Sequence, residues 1–353
     1  MGCGSSSEYK ALVQNVNTGA LAAGVGVGKG GPSSGVGGAM MLTNGNLLYV
    51  AGNNGLAVMD ISDPRATKRI GGLISTDVMS FRGGVALVLH PEGVLYVVGC
   101  NGVAVMDLAD RSRPARVGDL VGTSALAYDG CVVAKMSRDL AYMYVAGGNG
   151  LAVLDLKNAS EPCCMGTVTG TGVLGHSESA AMAICEEERL MYLAGSQGLA
   201  LFDLAKPARP SRIGGSIDTG APSQACGAAL AINDKALYVA GGHGLAVFDI
   251  TDKRNPSKVG AAMSTGCLPS RAGSGTMAID GPHLIIAGGK GLGLFRMRGT
   301  AHPERVGDVI NTGCHSEEGA CAVCLRGDVA FVAGDRALGA FRLRPLRAKP
   351  AKA

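Results

Sequence analysis

The chain contains no tryptophan, and only 4% of its 353 residues are aromatic. Proteins grip single-stranded nucleic acids largely by stacking bases on aromatic rings, so that mode of binding is excluded. A net charge of +4 is too small to mark a nucleic-acid surface by itself. Long apolar runs are also missing. Although 47% of the residues are hydrophobic and mean hydropathy is +0.23, Gly, Pro or a charge interrupts every stretch before about 18 apolar positions accumulate, which excludes a membrane-spanning helix. No basic segment followed by an apolar one opens the chain, so secretion is not expected. The 11 cysteines are odd in number and irregular in spacing, which argues against a disulfide framework. Cys321 and Cys324 form a C-x-x-C, but positions three apart on a strand face opposite ways, so the pair cannot share a zinc ion.

What the chain has in abundance is repetition. Leu48–Ile61, LYVAGNNGLAVMDI, returns as LYVVGCNGVAVMDL from Leu95, MYVAGGNGLAVLDL from Met143, MYLAGSQGLALFDL from Met191 and LYVAGGHGLAVFDI from Leu237. Two degenerate copies, LIIAGGKGLGLFRM from Leu284 and AFVAGDRALGAFRL from Ala330, complete a set of seven spaced 46 to 48 residues apart. A second marker keeps the same frame: Thr18, Thr76, Thr123, Thr171, Thr219, Thr265 and Thr312.

Within each unit, aliphatic runs of four to six residues lie between Gly and Asn turn signals, the pattern of short buried strands. Each unit holds four such strands, here called a to d. A lone four-stranded meander cannot bury both faces, whereas seven stacked radially can, so the expected fold is an all-β, single seven-bladed β-propeller. One orphan strand near 11–18 matches the fourth strand of a unit, and the chain ends after a third. The ring is therefore expected to close by pairing this N-terminal strand with the C-terminal blade. The expected layout is an anchor over 1–10, the propeller over 11–345 and a basic tail over 346–353.

The recurring (L/M)-Y-(V/L)-(A/V)-G-x-x-G-(L/V)-A-(V/L)-x-D-(I/L) resembles the LVIVD-repeat family of β-propellers. Five copies keep the aspartate, as Asp60, Asp107, Asp155, Asp203 and Asp249, and two carry Arg296 and Arg342 instead. The resemblance implies a fold and no single reaction. The aspartates themselves read as caps of the following turn.

Met1-Gly2-Cys3-Gly4-Ser5-Ser6 fits the pattern for N-myristoylation at Gly2, with Cys3 placed for palmitoylation. One myristoyl chain binds membranes only marginally, so a second signal is required. Meander topology supplies one: the a–b and c–d loops share one face of the ring, the b–c and d–a loops the other. Most bases fall on the c–d side, including Arg65, Lys68, Arg69 and Arg342 and the tail residues Arg344, Arg347, Lys349 and Lys352. The expectation is a monomeric, dually acylated scaffold, non-catalytic and without cofactor. It lies on the cytoplasmic face of an anionic membrane, plasma or organellar or flagellar, and binds protein partners through its d–a loops but no nucleic acid.

The alternative is a propeller enzyme, hydrolase-like or lactonase-like, or a protein that binds a small molecule or metal at the channel mouth. Cys226, Cys267, Cys314 and His315, with His176, belong to d–a loops that converge there. No nucleophile elbow is marked, and the acidic runs Glu186–Glu188 and Glu317–Glu318 read as solvated loop charge. The glycine-rich segment 19–38 lacks the strand-to-helix context of a phosphate loop.

Overall fold

The computed structural model describes residues 9–18, 20, 40–52, 54–78, 84–127, 131–166, 168–174, 180–221, 228–268, 275–299, 301–314, 321–334 and 336–343. Among these residues there are strands and no helix, and the strands form seven four-stranded antiparallel sheets. Blade 1 sets the plan. Met40–Asn44 (a), Leu47–Gly52 (b), Gly55–Asp60 (c) and Lys68–Ile74 (d) lie side by side in chain order. Tyr49 stands at its centre, opposite Leu42 on one side and Val58 on the other. The a strands of blades 2 to 7 are Val85–His90, Val132–Met136, Ala181–Cys185, Ala229–Asn233, Thr276–Asp280 and Cys321–Arg326. Each touches the a strand of the next blade, and Cys321–Arg326 touches Met40–Asn44, so the seven ring a common axis as a seven-bladed β-propeller.

Blade 7 draws its outermost strand from the start of the chain. Tyr9–Val16 pairs antiparallel with Leu338–Leu343, Tyr9 opposite Leu343 and Lys10 opposite Arg342, with two irregularities in register. Blades 3 and 5 have d strands of only two residues, Cys163–Cys164 and Ser257–Lys258, each extended by one isolated bridge.

The apolar cores lie between blades. Seven clusters fill the seven interfaces; in one, Tyr49, Leu56 and Val58 of blade 1 meet Val85, Leu95 and Met106 of blade 2. Burying one such side chain contributes about 1.5–3 kcal/mol, and the b and c strands are apolar on both faces because both faces are covered.

The tyrosine of strand b adds a directional bond to this packing. Its ring is buried and its hydroxyl donates across the interface to a carbonyl in the c–d loop of the next blade: Tyr49 to Arg111 at 2.8 Å, Tyr96 to Ala159 at 2.7 Å, Tyr192 to Lys253 at 2.7 Å and Tyr238 to Gly299 at 3.1 Å. The polar tip of an otherwise apolar side chain thus satisfies a loop carbonyl.

The c–d loop is shaped locally. Asp60, Asp107, Asp155, Asp203 and Asp249 each accept the backbone N–H two residues on, at 2.7–2.9 Å, an Asx-turn in every blade that keeps the aspartate. Hydrogen bonding to the charged form holds Asp60 and Asp249 below the usual carboxylate range, chiefly through the side chains of Ser62 and Thr251. At the other end of strand c, six of the seven blades turn on a glycine with positive φ, and blade 7 has Ala337 instead. Gly198 has φ +120°, and a Cβ there would stand 2.5 Å from the Ile217 carbonyl oxygen; Gly55 makes the same approach to Ile74.

Two tests follow from the tyrosine bond. Tyr192→Phe keeps the packing but leaves the Lys253 carbonyl without its donor, and is expected to lower stability by about 1–2 kcal/mol in denaturant titrations. Burial raises the tyrosine hydroxyls, Tyr96 to about 12. Their contribution is complete below the ordinary tyrosine value of 10.0 and is lost as pH rises through about 12, so melting temperature should fall steeply across that interval.

Candidate functional site: the channel and its rims

The a strands line the axis, and their register against strand b defines tiers. The tier opposite the central residue of strand b consists of Leu42, Val88, Lys135, Ala183, Ala231, Ala278 and Cys324. Six members are apolar or weakly polar, and one is a lysine. Lys135 remains open to water, yet desolvation by the protein around it pulls its ammonium below the usual lysine range. No ion pair reaches it among the described residues. The sequence reading missed this residue. The available signal was the run Val132-Val133-Ala134-Lys135-Met136, where a base breaks a position that is aliphatic or Cys in the other six units.

Just beyond this tier the a–b turns form an acidic rim. Glu92, Asp139, Glu186 and Asp280 stand at these turns or strand ends. Glu186 is half-buried and accepts the Arg138 N–H at 3.0 Å; desolvation raises its pKa, so it is less exposed than a freely solvated loop carboxylate. Glu187 pairs with Lys253 of the next blade's c–d loop at 2.9 Å, and Asp328 pairs with Arg342 at 3.0 Å. These pairs place the a–b turns and c–d loops on one face, acidic near the axis and basic outside it.

The outer bases divide into two groups. Arg65, Lys68, Arg111, Arg113, Lys206 and Arg209 are exposed and carry no ion pair among the described residues. Others are engaged. Arg69 is also exposed, and its guanidinium donates to the Thr18 carbonyl of blade 7 at 3.3 Å, bracing one blade against another. Arg342, from the same set, is held by Asp328. Gly2, Cys3, Arg344, Arg347, Lys349 and Lys352 lie outside the described residues.

The cysteine reading needs a correction. Cys267 and Cys314 are fully buried between blades, and burial pushes both thiols up to about 11. They occupy the position filled by Ala20, Val78, Ala125, Val173 and Ala221 in the other blades. In each blade the carbonyl at this position accepts the N–H of the next blade's b–c turn, His243 to Ala221 at 2.8 Å and Lys290 to Cys267 at 3.0 Å among them. In these two blades strand c carries Gly293 and Gly339 where the regular blades carry Ala. A Cβ at Gly293 would lie 3.1 Å from both the Cys267 Sγ and the Phe295 ring, and one at Gly339 would lie 2.8 Å from the Phe341 ring and 3.0 Å from the Cys314 Sγ. These thiols fill core volume and do not face the channel mouth. Cys226, His315 and His176 lie outside the described residues, as does most of the segment 19–38. Among the described residues no group of three or more His, Cys, Asp or Glu side chains is arranged to hold a metal. Cys321 and Cys324 point into different interfaces, blades 6/7 and 7/1 respectively.

The class is thus a seven-bladed propeller whose channel carries one isolated base and whose a–b/c–d face is charge-segregated. Comparison with known proteins agrees with the fold. Residues 41–67, 141–170 and 228–264 match the LVIVD repeat. No curated protein matches the sequence. Solved structures of similar fold include virginiamycin B lyase from Staphylococcus aureus, at 12% identity and TM-score 0.57 over 88% of this chain and 95% of that one. Another is a putative 6-phosphogluconolactonase from Bacteroides fragilis, at 11% identity and TM-score 0.56 over 77% and 84%. The N-terminal domain of Nup159 aligns at 10% identity and TM-score 0.58 over 95% of each chain.

Two substitutions probe the site. Lys135→Met restores the apolar tier and is expected to leave stability unchanged or raise it, because it removes a desolvated charge. Since the folded pKa of Lys135 is depressed, the wild type should gain on this variant as pH rises toward 10.5, where the unfolded chain still holds the proton that the folded chain has lost. Gly293→Ala and Cys267→Ala should each cost about 1–2 kcal/mol, by crowding and by cavity formation. The double variant recreates the Ala221/Ala246 packing of the regular blades and should recover about 1 kcal/mol of the summed loss in a double-mutant cycle.

Proposed function

We propose that this protein is a membrane-surface interaction platform. It is anchored by acyl chains on Gly2 and Cys3, lies with its c–d loops against the anionic cytoplasmic face of a membrane, and offers the d–a face to protein partners. The observation that carries the reading is the register of the outermost strand of blade 7. With Tyr9 opposite Leu343 and Lys10 opposite Arg342, the chain enters the ring on the c–d rim, the rim that carries Arg65, Lys68, Arg111, Arg113, Lys206 and Arg209 without ion pairs among the described residues. Lipid and exposed charge would then act on the same leaflet. A myristoyl chain alone gives an association constant of about 10⁴ M⁻¹, and each base near an anionic surface adds about 1 kcal/mol, so a few bases suffice for stable binding.

A second reading, a small-molecule-handling channel, is favoured by Lys135. Solved propellers of similar fold include proteins titled as a lyase and a putative lactonase, so the fold is compatible with catalysis.

Protein produced with an N-myristoyltransferase should sediment with phosphatidylserine-containing vesicles. Gly2→Ala should abolish most of this, and neutral vesicles, high salt or the pair Arg65→Glu/Lys68→Glu should weaken it several-fold. Equal sedimentation in every arm would overturn the membrane reading.

A further inference from the structure

We propose that Lys135 makes the channel a carbonyl-binding site, in which its amine forms a reversible imine with a small apolar aldehyde or ketone. This inference is independent of the membrane reading. It begins with position. Lys135 pairs with Tyr144 in the middle of blade 3, so its side chain occupies the tier that Leu42, Val88, Ala183, Ala231, Ala278 and Cys324 complete. Three consecutive blades, 4 to 6, contribute only alanine to that tier. A short alkyl chain beside the lysine would meet methyl groups on that side of the tier.

The charge environment selects the ligand. The charged groups of the a–b rim around it are Arg138 and Asp139 of its own blade, Glu92 and Glu186 of the adjoining blades, and Asp280 and Arg326 across the axis. None forms an ion pair with Lys135 among the described residues. A carboxylate ligand would approach past this acidic rim, and its second oxygen would meet apolar neighbours with no donor beside the lysine. A neutral carbonyl escapes both objections. Desolvation shifts the amine toward its uncharged, nucleophilic form, the condition under which lysines attack carbonyl carbon.

The step balances without a cofactor. The Lys135 Nζ lone pair attacks the carbonyl carbon, and the C=O π pair becomes the hydroxyl of a carbinolamine. One of the two amine protons moves to the oxygen to make that hydroxyl, and loss of the hydroxyl with the remaining nitrogen proton releases one water and leaves C=N; addition of water reverses it. Keeping a base where six equivalent positions do without one is the feature that a purely structural tier leaves unexplained.

The test uses butanal and sodium cyanoborohydride on the full chain near neutral pH, followed by peptide mass mapping. Lys135 should be alkylated faster than exposed Lys68 in the same molecules, by about tenfold for each unit by which its pKa is depressed. Without the reductant, butanal should raise the melting temperature of the wild type and leave Lys135→Met, which is expected to fold, unchanged. Labelling of Lys135 no faster than Lys68 would overturn the proposal. So would a Lys135-dependent stabilisation by sodium butyrate that butanal does not produce, since that result would make the site one for anions.

Discussion

A four-stranded blade has two apolar faces and nothing of its own to cover them. Every other feature of this protein depends on that constraint, because each face must be buried against the next blade. The seven interfacial clusters meet it with aliphatic volume, and the buried tyrosine fixes the geometry of the contact. Its hydroxyl reaches the c–d loop of the following blade, so the loop that projects at the rim is tied to the ring by a bond from its neighbour. Packing alone is non-directional; at four of the seven interfaces the bond adds a directional tie between neighbouring blades.

Blades 6 and 7 depart from the consensus together at several points. Ile285 and Phe331 replace the tyrosine, Arg296 and Arg342 replace the capping aspartate, and Gly293 and Gly339 replace the alanine of strand c. The space that an alanine methyl would need there is taken by the Phe295 and Phe341 rings together with the sulfurs of Cys267 and Cys314 from across the interface. Interiors are packed densely enough that a gain of volume on one side requires a loss on the other. The cysteines that looked like ligands in the sequence are part of this interface packing.

The regular parts of the molecule were legible because they are local. Four strands per unit, the glycine of the b–c turn and the Asx-turn each depend on residues within one repeat, and seven copies make the pattern hard to misread. The departures were harder to place. Glu186 sits in an acidic run that reads as solvated charge, yet it is half-buried at the channel rim. Arg69 reads as a surface base but reaches the Thr18 carbonyl, which is 51 residues away in sequence and adjacent only across a blade interface. Lys135 differs from its counterparts by one residue in seven, and its significance appears only when register places all seven in one tier.

The sequence by itself therefore determined the number of blades, their strand order and the glycines and aspartates that shape each one, because these follow from periodicity and turn chemistry inside a segment of 46 to 48 residues. Only the tertiary structure decided which side chains meet between blades, which bases remain without ion pairs among the described residues at the rim and which polar groups enter the bore. Those neighbours lie a full repeat or more apart in the chain, and it is closure of the ring, not proximity along the backbone, that brings them together.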